Sequence, residues 1–261
     1  MMKKMRNLWI QVVSSYKSLF SLLSFENYLW IKIVVPILQM IFFVLLVKFS
    51  NGEADITRWV ITNSLMLISI SAFYGLSTSF AMDRSMGTLK LVVVSPTNKY
   101  WIFLGRSIMY IIDGFISCVF AVIMGFLIFG LHLNMDILLK TMIIVLINTF
   151  SVMSLGMLIG ILSILTRDIQ MITNAAFSIL LVLAGVEIPI DRLPTFLSKI
   201  SYILPMSRST RAVDVLLSGS SNYNTLLIGE LIVGLFYMIV ALGVYSYVER
   251  ASRKNATLDF Y

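Results

Sequence analysis

Charge is what this sequence has least of. Only 13% of its 261 residues are charged, against 59% hydrophobic, whereas an ordinary soluble domain carries about 25% charged residues. A soluble fold of this length buries too little surface to hide so many apolar side chains, so the bilayer is the solvent this composition fits. Histidine and cysteine are nearly absent, with one each, His132 and Cys118. A single cysteine excludes an intrachain disulfide and a cysteine cluster, and the pair leaves too few ligands for a zinc or haem site. No glycine precedes a Lys-Ser or Lys-Thr pair, so the loop that cradles nucleotide phosphates is missing. His132 sits between apolar runs and offers no buried base to an intramembrane serine. A long hydrophilic block is lacking too, and the chain reads as one transmembrane domain over 1–261.

What the sequence does have is long apolar runs. A spanning helix takes about 20 mostly apolar residues, and six candidates answer: roughly Leu29–Phe49, Trp59–Met82, Trp101–Gly130, Ile137–Leu165, Met171–Val186 and Thr225–Val248. The expected fold class is an all-α membrane protein with six transmembrane helices. Residues 1–28 show another pattern. Leu8, Trp9, Val12, Val13, Tyr16, Leu19, Phe20 and Leu23 share one helical face, and Asn7, Gln11, Ser14, Lys17, Ser18 and Ser21 share the other. That predicts an amphipathic helix lying in the membrane interface, in contact with lipid. Lys3, Lys4 and Arg6 resemble a signal-peptide head, but Gln11, Ser14, Ser15, Lys17 and Ser18 interrupt the apolar core such a peptide needs, and no cleaved signal is expected.

The net charge of +7 fits topology and anionic lipid heads better than nucleic acid, because no basic, aromatic-interleaved hydrophilic surface is present. Six spans put both termini on one side. Most lysines and arginines fall there, among them Lys3, Lys4, Arg84, Lys90, Lys99, Arg106, Arg167 and Arg250, so both termini are expected in the cytoplasm.

Two connections are longer than turns. Asp83–Asn98 links spans two and three on the cytoplasmic side. Gly87 and Thr88 permit a bend, Leu89 to Val93 are apolar, and Ser95-Pro96 stops the run because proline lacks a donor and restricts its predecessor. This is a short helix apolar enough to dock and charged enough to stay out of lipid. Residues 187–224 form the outer connection. Asp191 is placed to cap a helix through Ile203, and Ser207 to cap a second through Leu216, stopped by Gly219. Both are too short to span, so their backbones must be buried in protein or face water.

These segments carry a resemblance. Arg84-x-x-Gly87-Thr88-Leu89 followed by Ser95-Pro96 resembles the intracellular loop of permeases of type 2 ATP-binding-cassette exporters. Asp83 stands where that family usually has glutamate, and Lys90 inverts a charge that is often acidic. Gly185, Pro189, Leu193-Pro194 and Pro205 are similar to the family's outer region, and Thr257-Leu258 to its ending. The resemblance implies that 83–98 is a coupling helix, with Asp83, Arg84, Gly87, Thr88, Leu89 and Pro96 contacting a cytosolic ATPase subunit. It implies that Gly185, Pro189, Pro194 and Pro205 shape two re-entrant outer helices that roof the path. It implies a second permease chain as partner, export as the direction and the bacterial plasma membrane as the location. No cofactor is expected on this chain, since ATP and magnesium would sit on the partner, and no catalytic or metal-binding residues are expected. An amphipathic cargo, such as a peptide, drug or lipid, fits.

Individual residues stay open between two readings. Asp113 and Glu230 lie inside apolar runs, where an ionisable group is costly; pairing with Arg106 or snorkelling explains Asp113 locally, and a helix-end carboxylate reaching interfacial water explains Glu230. Gly156-x-x-x-Gly160 permits close helix approach. Gln39, Asn63, Tyr74 and Asn174 are polar positions on spans one, two and five, which the resemblance turns toward the path; packing explains them equally. A secondary transporter or channel is the alternative class, but neither an internal repeat nor a ring of midplane charges supports it.

Overall fold

The computed structural model describes residues 26–27, 30, 34–51, 56–85, 99–130, 134–162, 168–186, 188–220 and 222–255. The expected interfacial helix of 1–28, apart from Glu26 and Asn27, and the expected coupling helix from residue 86 to 98 lie outside these residues. Within them, every regular element is helical. The order is α1 (Val35–Asn51), α2 (Thr57–Ser85), α3 (Lys99–Phe129), α4 (Met135–Leu162), α5 (Ile169–Leu183), a 3₁₀ turn (Ile190–Arg192), α6 (Thr195–Ser201), α7 (Ser207–Leu217) and α8 (Tyr223–Asn255).

Four of these helices are long and apolar enough to cross a membrane: 57–79 in α2, 108–129 in α3, 135–162 in α4 and 223–247 in α8. The protein is therefore a multi-pass membrane protein. The other two expected spans appear as shorter apolar helices. At about 1.5 Å per residue, the described part of α1, 17 residues, and α5 with 15 are shorter than a hydrocarbon core of about 30 Å. The last helix is longer than its apolar run predicts and carries on to Asn255.

α4 is the hub. It packs most extensively against α2 on one side and α8 on the other, and from Asn148 to Met157 nearly every residue is buried. A helix that is apolar all round needs such a position. Two glycines set how closely its neighbours approach. A Cβ at Gly156 would lie 2.8 Å from the Phe73 carbonyl oxygen of α2, and one at Gly234 of α8 would lie 2.9 Å from the Ser151 Cα. Backbone thus meets backbone at both crossings, the use small residues serve between membrane helices.

α2 carries many polar residues for a spanning helix, and several of their donors bond to its own backbone. Thr62, Ser64, Ser69 and Thr78 donate to the carbonyl one turn back, and Asn63 Nδ2 donates to the Trp59 carbonyl at 3.0 Å. Their hydroxyls and amides therefore cost little in lipid. Near its middle, α2 is also bonded to α4: Asn148 Nδ2 donates to Ser69 Oγ at 2.8 Å. The buried fraction tells the helices apart. The spanning window of α2 is 78% buried, that of α8 only 22%, so α2 runs inside the bundle and α8 along its outside.

Candidate functional site

Residues 184–186 and 188–220 fold back over one end of the bundle and form a cap. α7 rests on α8, α4 and α2, while α6 touches α5 and the 3₁₀ turn. Helix ends leave unpaired carbonyls and N–H groups, and the cap is built where such groups meet.

The first meeting point is the end of α5, where three successive carbonyls each accept from a different element. Ser201 Oγ of α6 donates to Leu183, Thr210 Oγ1 of α7 to Ala184, and Arg58 Nη2 of α2 to Gly185 at 3.2 Å. Gly185 takes φ 80°, the left-handed conformation that commonly closes a helix and that glycine adopts without strain. A Cβ there would lie 2.6 Å from Ile190 Cγ1. The chain then turns through Pro189, which precedes the 3₁₀ turn, and Pro194, which precedes α6. Pro205 is buried between α6 and α7.

The second meeting point is the start of α7. Met206 occupies the cap position, has no capping side chain, and takes φ 77°, an uncommon conformation for a residue with a Cβ. It is fully buried. The missing cap comes from α8: Glu230 Oε1 accepts the Met206 N–H at 2.6 Å, and Oε2 accepts the Arg208 N–H at 3.2 Å. The Ser151 hydroxyl of α4 and the Arg208 side chain lie beside the same carboxylate. Glu230 is 0% exposed. It therefore does not reach interfacial water but turns inward, where a helix N-terminus favours negative charge.

The third is the outer flank of α7. Arg58 Nε donates to Asp214 Oδ1 at 2.5 Å, and Nη2 approaches Oδ2 at 3.3 Å. The guanidinium also lies over the Trp59 ring, 4.5 Å from its centroid. Arg211 pairs with Asp191 at 3.5 Å and faces Tyr202, which Arg208 approaches from its own side.

The four outer-segment residues read from the sequence, Gly185, Pro189, Pro194 and Pro205, thus all fall within this cap. Two expected caps do not form. Asp191 lies inside the 3₁₀ turn, and Ser207 is the first residue of α7, not its cap. The four candidate path residues are dispersed. Gln39 on α1 is half-buried and Asn63 buried; Tyr74 stacks on Phe177, ring centroids 5.2 Å apart; Asn174 is exposed on α5. Asp113 is buried on α3, and the Arg106 side chain lies outside the described residues. Asp83 and Arg84 belong to the last turn of α2, whereas Gly87, Thr88, Leu89 and Pro96 lie outside the described residues. Sequence reading missed Arg58, Asp214, Thr210 and Asn148. A lone arginine opening an apolar run and an asparagine in the middle of one were the available signals.

The ABC-2 type transporter membrane family model matches residues 11–218, most of the chain and nearly all of the cap. The chain belongs to this family and is the permease component of an ATP-binding-cassette transporter, not a catalytic domain. The family implies partnership with an ATP-binding-cassette subunit. No curated protein matches the chain.

Proposed function

We propose that this permease is the membrane half of an ATP-driven exporter. Two copies, or this chain and a similar one, enclose the path. Six helices cross the bacterial plasma membrane, and both termini face the cytoplasm. The 83–98 segment docks on the ATPase subunit, which holds ATP and magnesium, and the cap covers the outer mouth. The cargo class is amphipathic: a peptide, drug or lipid-like molecule.

The observation that carries this reading is a polar stripe on α5. Gln170, Asn174 and Ser178 succeed one another at four-residue spacing and are all exposed, on a helix that ends beneath the cap. Lipid offers amides and hydroxyls no partners, so the stripe fits a face that meets water or a second chain. The exposed face of α8 contrasts with it, presenting Ile228, Ile232, Leu235, Phe236 and Ile239, as a lipid face should.

Thiol labelling separates the two faces. With the native Cys118 fully buried, N174C and S178C are expected to react with a membrane-impermeant thiosulfonate, and I232C and I239C are not. Equal reactivity on both faces would refute a path along α5. Tagged chain is expected to co-isolate with an ATPase subunit, and G87P or L89D to abolish ATP-driven transport while leaving membrane insertion intact.

A further inference from the structure

α7 is held at its start by Glu230 and on its flank by Arg58, and the two attachments differ in kind. Glu230 is sealed: both carboxylate oxygens accept backbone N–H groups, and no part of the residue is exposed. Withdrawing it would strand a charge and two donors in a dry interior. The Arg58–Asp214 pair is only partly buried, with side chains 17% and 36% exposed, so separating it costs less than withdrawing Glu230, though more than parting a fully exposed pair.

Arg58 also stands where three elements meet. It opens α2, pairs with Asp214 of α7, and donates to the Gly185 carbonyl at the end of α5. α2 is unbroken from Thr57 to Ser85 over 29 residues, a rod of about 43 Å at 1.5 Å per residue. Its far end holds Asp83 and Arg84, where the segment toward the ATPase begins. A displacement of that end therefore arrives at Arg58 without a hinge between. Thr62, Asn63, Ser64 and Thr78 donate within α2, and Ser69 accepts from Asn148 of α4 near the middle of the rod, while the tie at Arg58 joins α2 to the cap.

We infer that Arg58 is a releasable latch: at rest it ties α2 to α7 and to the end of α5, and nucleotide binding by the ATPase subunit, felt at the far end of α2, breaks the tie, so that the cap parts from α2 while Glu230 keeps α7 seated on α8. This rests on the proposed coupling to an ATPase. It adds the place where the coupled motion is read out.

The test uses the permease–ATPase complex in proteoliposomes, with R58C and D214C combined and a short, reducible bis-thiosulfonate cross-linker as probe. Cross-linking is expected to fall at least about threefold when ATP and vanadate trap the complex, reflecting a shifted two-state population. A link formed beforehand is expected to slow ATP turnover at least about fivefold, and reductant to restore it. A merely structural tie would give the same yield in both states and leave turnover unchanged, which overturns the latch alone. Absence of any co-purifying ATPase would overturn the coupling reading and the latch with it. D214N carries the same test without new cysteines. Its weakened tie is expected to raise basal ATP turnover about twofold, and unchanged turnover counts against the latch.

Discussion

Glu230 and Asp214 are both carboxylates that hold α7, and they hold it by opposite means. Glu230 reaches into a dry interior from a neighbouring spanning helix and completes the backbone of α7 at its first turn. Asp214 reaches out from α7 itself and meets a guanidinium at a partly buried flank. The same chemical group is structural in the first place and exchangeable in the second, because burial decides what replaces a lost partner. At Glu230 nothing does, and at Asp214 water does.

The contrast is breakable by substitution. Glu230→Ala removes the acceptor for two buried N–H groups and the counter-charge of Arg208, and is expected to cost about 3–5 kcal/mol, seen as a large fall in the melting temperature of the detergent-solubilised protein. Glu230→Gln keeps one amide oxygen and should fall between wild type and alanine. If both variants melt with wild type, the cap is not seated through Glu230. Gly185→Ala forces a Cβ into a left-handed position against Ile190 and is expected to cost about 1–3 kcal/mol, by the same measurement. Thr210→Val leaves the Ala184 carbonyl without its donor at nearly constant volume, and should cost about 1 kcal/mol. Asp214→Asn is expected to change stability least, by about 0–1 kcal/mol, while raising ATP turnover of the complex. A melting shift as large as that of Glu230→Ala would erase the distinction between the two attachments.

Much of this architecture was legible from local pattern. Apolar run lengths located the long helices among the described residues, and Gly219, expected to stop the second short helix, follows the end of α7 at φ 76° because φ preference acts within a residue or two. Local rules failed where a partner lay elsewhere. Asp191 and Ser207 satisfied the capping pattern, yet Pro194 starts α6 later and Met206 displaces Ser207 into the helix. The fifth apolar run, Met171–Val186, is itself shorter than a full span, and α5 keeps that length from Ile169 to Leu183. Among the candidate path residues, Asn63 and Asn174 look alike in sequence, both amides in apolar runs. One bonds to its own helix inside the bundle and the other faces outward, a difference set by which neighbours cover each helix.

The sequence by itself determined that the chain lives in a bilayer, that it is helical, and that a proline- and glycine-punctuated segment near residues 185–219 does not cross. Those properties arise from composition and from dihedral preferences that each residue carries alone. Only the tertiary structure decided that α4 lies at the centre, that Glu230 caps α7, and that Arg58 joins α2 to Asp214 and to the end of α5. The bonds of Glu230 and Arg58 pair groups 22 or more residues apart. A buried charge or an orphaned carbonyl takes the partner that packing brings within about 3 Å, not the one that sequence places next to it.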